Sequence, residues 1–167
     1  MPVDRIWAPW RINYITAITE KPKGCVFCRI LKEKKDAANL IFIRDKHSFA
    51  VLNIYPYNNG HALIIPYRHV KDLRDLRREE RENLFDVMAS AQALIDKAIR
   101  PNGYNIGVNI GKVAGAGFPG HVHIHIVPRW KGDVNFMPVT ADTKVVSQSL
   151  KDLYRRLVAP RKKRTKG

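Results

Sequence analysis

Hydrophobic residues fall along this chain in two distinct rhythms. Short apolar runs at 40–44 and 49–54 flank Asp45-Lys46-His47, which predicts a strand, a turn and a strand. The turn-rich stretch Tyr55-Pro56-Tyr57-Asn58-Asn59-Gly60 follows, and then a third strand at 61–66 stopped by Pro66. The rhythm then changes. Leu84, Val87, Met88, Ala91, Leu94, Ile95, Ala98 and Ile99 recur every three or four residues, the stripe of one long amphipathic helix. Glu79, Glu80 and Glu82 suit its positive N-terminal end, and Pro101-Asn102-Gly103 ends it. Two more strands, 104–110 and 121–127, are joined by a glycine-rich loop, and 144–158 carries a weaker helical pattern. The fold expected is α+β: an antiparallel sheet of about five strands, one long helix packed on it, and a C-terminal helix.

With 167 residues and no internal repeat, the reading is a single domain over 1–158. Residues 1–24 form an irregular N-terminal arm with Trp7 and Trp10, and 159–167 form a basic tail. No apolar run is long enough to span a membrane, and the N-terminal residues lack the apolar core of a secretory signal, so a cytoplasmic protein is expected. The net charge of +15 favours polyanionic partners, either nucleotides or, through the tail, nucleic acid. The only cysteines, Cys25 and Cys28, are spaced C-x-x-C, which reads as half of a metal site or as a redox pair.

Half of the six histidines lie within five residues, in His121-Val122-His123-Ile124-His125. In a strand, period 2 puts these three on one face, about 7 Å apart, with Val122, Ile124 and Ile126 on the other. Three readings compete: a solvent-facing decoration, a shared metal, or an imidazole nucleophile, which is chemically able near neutral pH. The preceding loop, Gly111-Lys112-Val113-Ala114-Gly115-Ala116-Gly117-Phe118-Pro119-Gly120, favours the last. Its glycines allow backbone amides to approach an anion, although it is not a Walker loop, since it lacks the GK[ST] ending and leads into a strand.

HVHIHIV fits the H-x-H-x-H-x-x pattern, and the chain resembles the histidine triad superfamily of nucleotidyl hydrolases and transferases. The likeness runs from about Asp4 to Leu150. IWAPWR, CVFC, LNIYPYNNGHALIIPYRH and RWKGDVNFMPV resemble the branch acting on diadenosine polyphosphates. The resemblance implies that His123 attacks the α-phosphorus to form a nucleotidyl-imidazole, resolved by water or inorganic phosphate. It assigns His125 and His61 to phosphate oxygens or to the leaving group's proton. Asn53 would bind the ribose, and Asn109 with the amides near Gly115 and Gly117 would hold the α-phosphate. It also implies a structural zinc on Cys25, Cys28, His69 and His121, and a homodimer built from the long helix and an edge strand.

The glycine loop departs from several hydrolases of the superfamily. They carry glutamine or serine where this chain has Ala116-Gly117-Phe118, which leaves the acceptor open between water and phosphate. Two alternatives stay open beside dinucleotide cleavage: release of AMP from phosphoramidates or adenylated DNA ends, and a zinc-stabilised nucleotide-binding module without turnover. Trp7, Trp10 and Trp130 are equally able to stack on a base or to pack the arm against the sheet.

Overall fold

A computed structural model describes residues 24–133 and 148–159. The elements in chain order are α1 (Val26–Glu33), α2 (Asp36–Asn39), β1 (Ile41–Arg44), β2 (Ser48–Leu52), β3 (Ala62–Pro66), a 3₁₀ turn (Leu73–Asp75), α3 (Arg78–Ile99), β4 (Gly103–Val108), β5 (Ile124–Arg129) and α4 (Leu150–Val158). The five strands form one antiparallel sheet in the order β1-β2-β3-β5-β4. This is the α+β architecture expected.

The helical stripe does what its spacing requires. Leu84, Val87, Ala91, Ile95 and Ala98 are buried as α3 lies across β2, β3 and β5. Glu80 reaches back to the Arg77 amide at 2.7 Å and takes the Arg68 guanidinium at 2.6 and 2.9 Å. These bonds satisfy a helix-end donor and hold the Glu80 carboxyl at about 2, well below its ordinary value. β2 and β3 are buried on both faces, because α3 covers one and the segments around the histidines cover the other. β3, buried throughout, lies at the centre of the sheet between β2 and β5.

Two local predictions need correction, and one helix was not anticipated. The segment after Cys25 is helical: Val26, Phe27, Ile30 and Leu31 pack on the core at helical spacing. β5 begins at Ile124 and not at 121, because Val122 leaves the ladder and its amide bonds the Val70 carbonyl at 2.7 Å. The C-terminal helix is seen from Leu150, capped by the Ser149 hydroxyl on the Asp152 amide. Positions 144–147 of the expected helix lie outside the described residues. So do Trp7, Trp10 and nearly all of the N-terminal arm and basic tail.

One glycine is demanded by the packing. Gly60 has φ +75°, and a Cβ there would stand 2.6 Å from Ile99 Cδ1 and 3.1 Å from Pro128 Cγ. Gly60→Ala is expected to cost about 1–3 kcal/mol, read as a lower urea midpoint with an unchanged slope.

Candidate functional site

The site is assembled where the centre of the sheet meets three irregular segments: the turn 53–61, the glycine loop 111–120 and the start of α1. They enclose a cavity of about 510 Å³. Val26, Phe27, Ile30, Val51 and Leu63 give it apolar walls, while Asn53, Gly115, Gly117, His123 and His125 bring polar groups to it. The volume and the mixed lining are those of a small-molecule site.

Backbone groups decide the protonation pattern of the histidines. The Tyr57 amide donates to His61 Nδ1 at 3.0 Å, so that nitrogen must be the bare acceptor. His61 Nε2 then carries the proton and donates to His125 Nδ1 at 2.9 Å. His125 in turn must carry its proton on Nε2. That atom is buried and has no hydrogen-bond partner among the described residues, so it is a donor available to a ligand oxygen. His123 follows the opposite logic. Its Nδ1–H donates to the His121 carbonyl at 2.9 Å, which leaves the Nε2 lone pair free. The two neighbouring rings, 4.9 Å apart between centroids, thus offer one nucleophilic nitrogen and one N–H.

Burial pushes His123 below the ordinary imidazole value and His125 down to about 4, so both rings are neutral at pH 7. The folded values lie below the unfolded one, so the folded state resists protonation. Stability is fully present above about pH 6.5 and is lost as the pH falls from there toward about 4. For turnover through these rings, the acid limb of kcat/KM should fall below the ordinary imidazole value of about 6.5. A half-activity point at 6.5 or above in a pH–rate profile would contradict this arrangement.

His121 does not line the cavity. It is fully buried and turned away, with Nε2 on the Pro66 carbonyl at 2.9 Å. Its Nδ1 lies 3.3 Å from Cys25 Sγ and 3.7 Å from Cys28 Sγ, and Cys28 Sγ lies 3.4 Å from His69 Nδ1. The four donor atoms of Cys25, Cys28, His69 and His121 all fall within 4.8 Å of one another and could hold a metal ion. Burial, and then the adjacent Cys25 thiol, push the Cys28 thiol up, so ionising Cys28 is favoured by a nearby cation.

The remaining expected residues divide by location. Asn53 lines the cavity, with Nδ2 3.3 Å from His61 Nδ1 and Oδ1 on the Tyr55 amide. Gly115 and Gly117 line it through the loop, and Asn109 stands behind them, its amide 3.4 Å from the Gly115 carbonyl. His61 is fully buried behind His125. Trp130 belongs to a different cavity at the end of α3, where its indole bonds the Arg100 carbonyl. The apolar walls from α1 and the ring of Phe118 were not anticipated from the sequence. The helical stripe inside CVFCRIL was the available signal.

A family model described as the HIT domain matches residues 34–132. The chain belongs to the HIT family. Within it, the chain is 39% identical over 164 residues to the AP-4-A phosphorylase of Mycobacterium tuberculosis, covering 94% of this chain and 83% of that one. It is 42% identical over 93 residues to the asymmetrical bis(5'-nucleosyl)-tetraphosphatase of Schizosaccharomyces pombe, covering 56% of this chain and 50% of that one. A zinc-bound histidine triad protein from Mycobacterium smegmatis superposes with a TM-score of 0.60 at 30% identity, covering 81% of this chain and 91% of that one. In this HIT chain the sheet is the common framework. The cavity is lined from its central strands, and the cysteine–histidine cluster lies at the approach to β5.

Proposed function

We propose that this protein cleaves dinucleoside polyphosphates of the diadenosine tetraphosphate type at the α-phosphate, through a nucleotidyl intermediate on His123. The observation that carries the proposal is the opposed tautomers of His123 and His125 on the wall of one nucleotide-sized cavity. His123 Nε2 attacks the α-phosphorus as the bond to the bridging oxygen breaks. The His125 Nε2–H donates to the oxygen that gains charge on the leaving polyphosphate. His61 and the Tyr57 amide keep His125 in that tautomer. Asn53, on the cavity wall, is assigned the ribose, and the backbone of Gly115 and Gly117, with Asn109 behind it, is assigned the α-phosphate. Phosphoryl transfer of this kind depends chiefly on positioning and charge stabilisation, which a buried, backbone-fixed histidine pair supplies.

Water or inorganic phosphate then attacks the P–N bond and regenerates the imidazole. We favour phosphate, because the loop offers backbone and the small Ala116 where a glutamine or serine would order a water, and because the M. tuberculosis relative is named a phosphorylase. Incubation with diadenosine tetraphosphate and labelled inorganic phosphate decides the point. Labelled ADP with ATP is the expected product pair, and unlabelled AMP with ATP would assign hydrolysis instead.

The metal of the cluster is read as structural zinc. Tetrahedral zinc with Zn–S near 2.3 Å and Zn–N near 2.05 Å puts sulfur and nitrogen ligands about 3.6 Å apart. Three of the four sulfur–nitrogen separations are 3.3, 3.4 and 3.7 Å, and all the donor atoms lie within 4.8 Å of one another. The Pro66 carbonyl fixes the far nitrogen of His121, as outer partners of metal-bound histidines do. Two thiols kept reduced for this purpose suit the cytoplasm. Among the described residues no helix is long and apolar enough to cross a membrane.

A homodimer is supported by β4, an edge strand whose Ile106 is 44% exposed, and by Phe85, 62% exposed on α3. The buried stripe of α3 is occupied by the chain's own sheet. An interaction between the basic tail and nucleic acid would involve positions outside the described residues.

A further inference from the structure

We infer that Phe27 couples metal occupancy of the Cys25–Cys28–His69–His121 cluster to the seating of the nucleotide beside His123. This rests on the zinc and nucleotide readings above and assigns a positioning role to a residue between the two thiols. Cys25 is the residue capping the N-terminal end of α1, and Cys28 lies in its first turn. The cap makes no side-chain hydrogen bond to the helix, since the Cys25 thiol is directed at His121 instead. Whatever holds the two sulfurs therefore holds the start of α1. An eight-residue helix has little stability of its own and takes its position from such tertiary contacts.

Phe27 turns that anchorage toward the chemistry. Its side chain is only 4% exposed, and its ring meets three others. It stands 5.5 Å from His121 at 89°, 5.1 Å from His123 at 57° and 5.3 Å from Phe118 at 63°. One aromatic ring thus touches a residue of the metal cluster, the proposed nucleophile and the aromatic of the glycine loop. The same helix carries Val26, Phe27 and Ile30 into the cavity wall. A metal that draws the two thiols and two imidazoles together sets the first turn of α1, the edge of Phe27 and one wall of the cavity in a single step. A second route runs through the backbone, because the His121 carbonyl accepts the His123 Nδ1–H.

Coupling of this kind is reciprocal: if zinc tightens nucleotide binding, the nucleotide tightens zinc binding by the same factor. The test uses the full chain with AMP as probe. AMP affinity is measured by calorimetry on zinc-loaded and chelator-stripped protein, and zinc affinity by chelator competition with and without AMP. The expected result is a tightening of about tenfold in both directions. In Phe27→Leu the factor should fall to about two or less, while zinc affinity without AMP stays close to that of the wild type. The reciprocal titrations on the wild type stand without any variant.

Equal AMP affinity in loaded and stripped protein would overturn the coupling while leaving the zinc reading intact. Protein that takes up no zinc would overturn the zinc reading itself. A factor unchanged in Phe27→Leu would remove Phe27 from the route. Loss of the sheet's amide signals on stripping would also overturn the proposal, since the linkage would then be global folding.

Discussion

Replacing His123 with alanine is expected to reduce turnover of diadenosine tetraphosphate by about 10⁴-fold or more, or ~5 kcal/mol of barrier, with the fold retained. The imidazole is 5% exposed and packs on Phe27, so the deletion also costs some stability. The sheet, the buried α3 stripe and the cysteine–histidine cluster do not depend on that ring. Two readouts separate loss of chemistry from loss of structure. Acid-quenched wild type incubated with substrate should yield a nucleotidyl-protein, absent from the variant, while the far-UV spectrum and AMP binding persist. Turnover within tenfold of wild type would refute the covalent mechanism.

His125→Ala should behave differently, with a loss of about 10²- to 10³-fold that shrinks on substrates with acidic leaving groups. Its assigned part is the N–H on the leaving side, and a leaving group that needs no proton needs no donor. A loss independent of leaving group would move His125 from proton transfer to phosphate binding.

The second large effect lies at the metal cluster. Cys28→Ser removes one of four donors from an arrangement that brings α1, the segment after β3 and the approach to β5 together. A loss of about 3–5 kcal/mol is expected, a fall of roughly 10 °C or more in Tm for a chain of this size. Chelation of the wild type should reproduce most of that fall, and chelation of the variant should add little. The hydrophobic core draws buried residues from β1, β2, β3 and β5 and from α1, α3 and α4, so the protein is expected to weaken on metal loss and not to unfold at 25 °C as a zinc finger does. A chelated wild type with an unchanged melting curve would show that the four residues meet without bearing a stabilising metal.

Much of this architecture was legible in the chain because it is written in periodicity. The runs 40–44, 49–54, 61–66 and 104–110 each match a strand to within two residues at either end, and the stripe from Leu84 to Ile99 lies inside a helix that starts at Arg78 and ends at Ile99. Patterns of that kind report a one-dimensional fact, namely which side of an element faces the core. The same logic failed at residues 121–123. Strict alternation there suggested a strand with three equivalent histidines, but Val122 pairs with Val70 and His121 swings to the cysteines. A pairing partner fifty residues away leaves no trace in local spacing.

By itself, the sequence determined the fold class, the long helix and the presence of a histidine-centred site, for which spacing and residue type suffice. The four residues able to meet around a metal came from the family resemblance, since spacing alone left the cysteine pair open between metal and redox roles. The resemblance already gave the three histidines different parts, but only the tertiary structure supplied the hydrogen bonds that set their tautomers. The Tyr57 amide makes His125 Nε2 a donor through His61, and the His121 carbonyl leaves His123 Nε2 with a free lone pair. It alone placed Phe27 between cluster and cavity. The reason is physical. An imidazole's tautomer is set by the hydrogen-bonding group opposite it: the His121 carbonyl for His123, and for His125 the His61 ring, itself set by the Tyr57 amide.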